Sequence, residues 1–298
     1  MTLADLLTTS VPAIPGVKPR DDELDLFGLT HPGKVRRENQ DHFLLCTVHP
    51  QVVMHGTSLP NPDQLPLRGE RLATILLVAD GVGSGTGGGA ASKIAAETIT
   101  GYLSSSLRCY HAAGAADRAE FPDALRAAAL EAHATVRAAA VEQQVQKMAT
   151  TLTLAIAVWP WMHVVQVGDS RCYFYSGGKL RQVTRDQTMA QDLVDQGVLP
   201  AERISLSPFN NVLASAIGAD EAMPVVTRLG IAKAGSVILL CSDGLTKHVS
   251  DEMIAGEISR MDSSEQLCRR LLDLALDGGG SDNVTVLAAR AVRQAQDG

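Results

Sequence analysis

The chain has 298 residues, 45% hydrophobic and 20% charged, with a net charge of −7 and no strongly basic block. That is enough chain for one large domain or two small ones, and it argues against nucleic acid or an anionic membrane surface as a partner, since both call for clustered Lys and Arg. The five scattered cysteines, Cys46, Cys109, Cys172, Cys241 and Cys268, are odd in number and include no C-x-x-C, so they read as reduced thiols of a cytoplasmic protein rather than a disulfide framework or a zinc site.

Residues 1–21 carry three prolines and no basic n-region, and are read as a flexible leader rather than a signal peptide. No apolar run reaches the roughly 18 residues of a membrane span. "LDLFGLT" and "DHFLLCTV" are strand-like runs around the charged turn "HPGKVRRENQ". Residues 49–70, with four prolines, read as a loop. "RLATILLVAD" is a buried strand, and "AASKIAAETITGYLSSSL" is helical by composition. Residues 110–120 form a small-residue loop, and "PDALRAAALEAHATVRAAAVEQQVQKM" is a long Ala-rich helix with Pro at its start. Strands then cluster in "TTLTLAIAV", "MHVVQVGD" and "RCYFYSGGKLRQVT". A short helix "TMAQDLVDQGVL", a strand "SVILLCSDGL", a helix "SEQLCRRLLDLALDGG" and a closing strand "DNVTVLAARAV" complete the chain. Long helices among clustered strands favour α+β over a regular parallel sheet.

"ILLVADGVGSGTGGGAA" (75–91) places Gly83, Gly85 and Gly88 at dinucleotide-binding spacing after a strand. The acid expected about 20 residues on, at the end of a second strand, is missing. Asp80 would face the pyrophosphate, and no G-K-[ST] follows for a P-loop. The competing reading makes Asp80 the functional residue, with the glycines allowing a tight turn beside it. An Asp-Gly at a strand end is by itself an ordinary turn. The device recurs, however, at "RRENQD" (Asp41), "VVQVGDSR" (Asp169), "LLCSDG" (Asp243) and "GGSDN" (Asp282). Five acids at five junctions suggest one carboxylate cluster at one end of a sheet, suited to a hard cation such as Mg²⁺ or Mn²⁺. The eight histidines show no zinc-type spacing; His42, beside Asp41, is a candidate supporting residue.

In this order, "GKVRRENQD", "VADGVG", "ATTLTLA", "VGDSR", "VTRDQT", "LLCSDGL" and "GGSDNVTVL", spanning 33–287, resemble the metal-dependent protein phosphatase 2C (PPM) family, its bacterial branch above all. The resemblance implies a four-layer α-β-β-α sandwich of two antiparallel sheets flanked by helices, occupying residues 22–298, with a flap at about 186–218. It implies a protein serine/threonine phosphatase using two Mn²⁺ or Mg²⁺ ions, with a third weaker one, and attack by a hydroxide bridging the first two. By motif, Asp80 would bridge two ions, Asp243 and Asp282 would complete the first, and Asp41 and the Gly81 carbonyl would serve the second. Asp169 with Asp243 would hold the third. Arg36 would grip the substrate phosphate, Asn283 would orient its loop, and Arg171 would brace the site. Partners implied are phosphorylated Ser/Thr proteins and a cognate Ser/Thr kinase, the enzyme itself being a monomer. One departure stands out: Gly85 falls where many members carry a His proposed as the general acid. The alternatives are a pseudophosphatase serving as a binding module and, by the glycine loop, a nucleotide-binding oxidoreductase.

Overall fold

Along β3 (Ala73–Val82), Ile75, Leu77 and Ala79 face one way and Leu76 and Val78 the other, and all five are buried. An extended chain alternates its side chains with period two, so a strand apolar on both faces needs a layer on each side. The computed structural model, which describes residues 17–58, 60–83, 87–112, 120–233 and 235–292, supplies both.

One sheet has the order β1 (Leu24–His31), β11 (Val284–Ala291), β10 (Val237–Cys241), β7 (Arg171–Ser176), β8 (Lys179–Gln182). The other runs β2 (Asp41–Val48), β3, β5 (Leu152–Val158), β6 (Trp161–Val167), β9 (Val225–Gly230), with the two-residue β4 (Ala149–Thr150) beside β3. Every pairing is antiparallel. Leu76, Val78, Met162, Val164, Phe174, Leu240 and Leu287 fill the space between the sheets. Helices α1 (Gly87–Ala112) and α2 (Phe121–Glu142) cover the second sheet's outer face through Ile99, Leu103, Leu125 and Ala132. On the first sheet, α4 (Asp243–Thr246), α5 (Asp251–Ser259) and α6 (Ser264–Asp277) bury Leu245, Ile254, Leu267, Leu271 and Ala275. The i, i+4, i+8 spacing of the last three is the apolar stripe of a surface helix, and Ser263 caps α6 by accepting from Gln266 N. The expected four-layer α+β sandwich is therefore the observed one. Among the described residues no helix is long and apolar enough to cross a membrane.

The strand expected through Leu245 ends at Cys241 and gives way to α4, and further elements lie beyond the sequence expectation. β9 is an edge strand whose Val225 is exposed, and α5 is nine residues long with Gly256 inside it. Where a loop was expected at 110–120, α1 continues to Ala112, and residues 113–119 lie outside the described part. The described end of the presumed flexible leader is docked. Lys18 Nζ donates to Arg71 O, while Arg71 pairs with Asp21 at 2.6 Å and donates to Pro19 O. Residues 186–218 hold α3 (Met189–Asp195), capped by Thr188, and return to the sheet where Ile217 bridges Thr150.

One core group carries a pH dependence. His163 on β6 is 3% exposed, meets Phe121 edge-on at 4.9 Å, and has no hydrogen-bond partner for either ring nitrogen. Burial, reinforced by Arg228, pushes it down to about 4. The unfolded chain takes up this proton first, so stability is lost as pH falls from about 6.5 towards 4. Denaturant midpoints at pH 7 and pH 4.5 should show the wild type losing about 2 kcal/mol more than His163→Leu; equal losses would acquit His163.

Candidate active site

Period two also places the first two acids. Asp80 shares the parity of Leu76 and Val78, which face between the sheets, and Asp41 shares that of Phe43 and Leu45. They are direct cross-strand partners in the register. Asp169 lies in the connection from β6 to β7, where the chain passes from one sheet to the other, while Asp243 follows β10 and Asp282 precedes β11. All five acids therefore sit at one end of the sandwich, as the five junctions suggested. Asp80, Asp169, Asp243 and Asp282 line a cleft of about 530 Å³ with Arg36, Gly81, Thr151, Asn211, Lys247 and Asn283. Asp41 lies beneath it, 4% exposed. A larger cavity of about 1190 Å³ opens at the opposite end, but Glu23 is the one acid among its described lining residues.

The supporting bonds explain several motifs. Asp80 N donates to Thr151 Oγ1, and Asp80 O accepts from Thr151 N and Thr150 Oγ1, so the "TT" of residues 150–151 fixes the Asp80 backbone. Asn283 Nδ2 donates to Pro32 O and Glu38 O, and its Oδ1 accepts from Gln40 N; this ties the Arg36 turn to the Asp282 loop. Arg171 grips Asp186 at 2.7 Å and donates to Tyr173 Oη. His42 turns to Ser92 of α1. The glycine loop has a packing role at its two ends. A Cβ on Gly81 would stand 2.4 Å from the Gly88 backbone and 2.8 Å from Gln40 O, so α1 can start this close to β3 only with glycine there. Gly85, with Ser84 and Thr86, lies outside the described residues.

The acids are held at high electrostatic cost. Asp41 Oδ2 accepts from Ser242 Oγ at 2.8 Å and Thr285 Oγ1 at 2.6 Å, while its buried Oδ1 has no N–H or O–H donor. The Asp80 carboxyl is its cross-strand neighbour, and the two carboxyls can bond to each other only by sharing a proton. Burial, above all, pushes Asp41 up to about 6 and, with the charge of Asp243, Asp169 up to about 8. Asp80 is raised well above the carboxylate range by burial and then by Asp41, Asp243, Asp169 and Asp282. Asp243 is raised by burial, with Lys247 opposing. At Asp282 burial acts upward but Arg36 and Lys247 outweigh it and hold the carboxyl low.

Two cations stand among these acids. Arg36 forms a fork with Asp282, Nε to Oδ1 at 2.8 Å and Nη2 to Oδ2 at 2.9 Å. The arginine expected to meet substrate is thus held here by one of the expected ion ligands. Lys247 Nζ lies 2.6 Å from Asp243 and 2.8 Å from Asp282. Sequence reasoning missed Lys247, although its place four residues after Asp243 puts the two on one helical face. In this arrangement no three acidic, His or Cys side chains among the described residues form a ready ligand group. The donor set nonetheless fits a hard divalent cation. It is all oxygen and buried, Asp80 and Asp169 resist ionisation there without a compensating cation, and Asp41 has an unsatisfied oxygen.

Residues 55–276 match the family described as protein phosphatase 2C. This chain belongs to the protein phosphatase 2C family. The serine/threonine protein phosphatase PstP of Mycobacterium tuberculosis is 34% identical over 221 residues, covering 74% of this chain and 41% of PstP; the chain spans about two fifths of that relative's length. The serine/threonine phosphatase stp of Listeria welshimeri is 28% identical over 259 residues, covering 87% of this chain and 92% of the relative. A crystal structure of the M. tuberculosis PstP phosphatase superposes with a TM-score of 0.69 at 29% identity, covering 91% of this chain and 99% of that one. A second PstP catalytic-domain structure, in complex with two manganese ions, gives 0.65 at 29% identity over 91% and 99%. The two-sheet sandwich found here is the protein phosphatase 2C fold.

Proposed function

We propose that this chain is a metal-dependent phosphoprotein phosphatase acting on phosphoserine and phosphothreonine in the cytoplasm, on substrates of a Ser/Thr kinase. The observation that carries the reading is the meeting of Asp80, Asp169, Asp243, Asp282 and Arg36 around one cleft in a chain of the protein phosphatase 2C family. Asp41, Asp80 and the Gly81 carbonyl would hold one divalent ion, and Asp80, Asp243 and Asp282 another; Asp169 with Asp243 would take a third. The manganese in the related PstP structure supports Mn²⁺ as the first ion to test. Such ions, when bound, supply charge neutralisation of the phosphomonoester dianion and make water more acidic.

The chain's own residues supply the rest. Arg36 stands in the turn between β1 and β2, about half exposed at the cleft mouth. It exchanges Asp282 for two phosphate oxygens, offering the same planar fork to the substrate. Thr150 and Thr151 hold the Asp80 backbone still while the cleft fills. Asn211 and Leu213, carried by the 186–218 segment, border the cleft and bring that segment next to the peptide that bears the phosphate.

The test is hydrolysis of p-nitrophenyl phosphate and a phosphothreonine peptide with Mn²⁺, with Mg²⁺ and with EDTA. Turnover with a divalent ion and none in EDTA is the expected outcome. Folded protein that is inactive with either ion would transfer the reading to a binding module.

A further inference from the structure

We infer that Lys247 is a built-in counter-ion that occupies the Asp243–Asp282 ion position and must be displaced before a divalent cation binds there. This rests on the reading of the acids as a metal centre. Asp243 and Asp282 come from different elements, and their side chains are each 19% exposed. Two carboxylates held that close and that dry need compensating charge. Lys247 supplies it in this structure, with Nζ 2.6 Å from Asp243 Oδ2 and 2.8 Å from Asp282 Oδ2. Its backbone is fixed as well, because Lys247 N donates to Asp243 O at 2.9 Å and closes the turn of α4.

A magnesium or manganese ion on the same two oxygens would sit roughly 2.1 Å from each. The ammonium and the ion would then claim the same space, and like charge would separate them further. Binding at this position is thus an exchange, with Lys247 swinging out as the ion enters. The position shared by Asp41 and Asp80 has no ammonium or guanidinium in it: Asp41 Oδ1 faces no side-chain cation or hydroxyl, and an ion there displaces at most a proton held between the two carboxyls. The two halves of the centre are therefore unequal. The Asp41–Asp80 half loads first, and the Asp243–Asp282 half loads only at higher ion concentration. Lys247 sets the threshold at which the cleft becomes complete.

The experiment is calorimetric titration of Mn²⁺ into the full chain for the wild type, Lys247→Met and Lys247→Arg, with melting curves in EDTA alongside. In Lys247→Met the weaker Mn²⁺ step should tighten at least tenfold, and Lys247→Arg, which keeps the charge, should titrate like the wild type. In EDTA, Lys247→Met should melt below the wild type, because Asp243 loses its ion-pair partner and Asp282 keeps only Arg36. Should the Met variant not fold without metal, Lys247→Gln removes the charge with a gentler change and serves the same comparison. Identical wild-type and Met titrations would overturn the role of Lys247 and leave the metal centre standing. If neither protein took up Mn²⁺, both the role and the centre beneath it would be lost.

Discussion

Asp80→Asn is expected to lower kcat/KM for a phosphothreonine peptide in Mn²⁺ about a thousandfold, a loss of about 4 kcal/mol of transition-state stabilisation, while raising the melting temperature of the metal-free protein at pH 8. The two effects share one cause. Asp80 is the acid on which burial and the charges of Asp41, Asp243, Asp169 and Asp282 all converge. That makes it the group best placed to share ions and the group most costly to ionise without them. Its folded pKa lies above its unfolded one, so its contribution is favourable below about pH 4 and is lost as pH rises through the folded value. Asparagine removes that penalty, and the stability gain should shrink as the pH is lowered towards 4. A variant that keeps a tenth of the activity, or that melts earlier than the wild type in EDTA at pH 8, would contradict this assignment.

Gly244→Ala should destabilise the protein by about 3 kcal/mol or more and strip most of its activity. Gly244 is buried in α4, directly after Asp243. A Cβ there would stand 1.9 Å from Asn283 O and 2.9 Å from Asn283 C. Neither is a flexible side-chain tip that could swing aside; the backbone just before β11 would have to move. That backbone carries Asp282, so the methyl group would separate the two acids that Lys247 now joins. Gly256→Ala is the matched control. Gly256 lies in α5 with nothing within 4 Å of its added Cβ, and replacing glycine inside a helix should stabilise by up to about 1 kcal/mol. Urea midpoints and Mn²⁺-dependent turnover of the two variants give the comparison; similar behaviour would mean the approach of α4 to β11 is looser than described.

The acids were legible because each ends or begins a strand in a short apolar context, and such junctions can be counted along a chain. The alternation in "ILLVAD" already put Asp80 on the same face as Leu76 and Val78. The charge partners were not legible. That Arg36 forks onto Asp282 depends on two turns 246 residues apart meeting at the end of one sheet. Lys247 acquires its second acid only where the fold brings Asp282 to it. β9 and α5 were missed for local reasons, an edge strand with Val225 exposed and a short helix that carries the helix-weakening Gly256. The glycine loop imitates a phosphate cradle by spacing, a reading that the missing acid of a second strand already disfavours; Gly81 and Gly88 are small because β3 and α1 touch.

The acids also divide between the layers. Asp41 and Asp80 belong to one sheet, Asp243 and Asp282 to the other, and Asp169 to the strand-to-strand crossing. The molecule is therefore like a book whose spine is made of charge, with the 1190 Å³ cavity at the open edge of the pages. Whatever balances the spine, a lysine or an ion, also binds the covers together. Amide exchange in the neighbouring ends of β2, β3, β10 and β11 should accordingly rise and fall as one unit with the charge balance at that edge, so that the same residues set both the chemistry and the mechanical integrity of the sandwich.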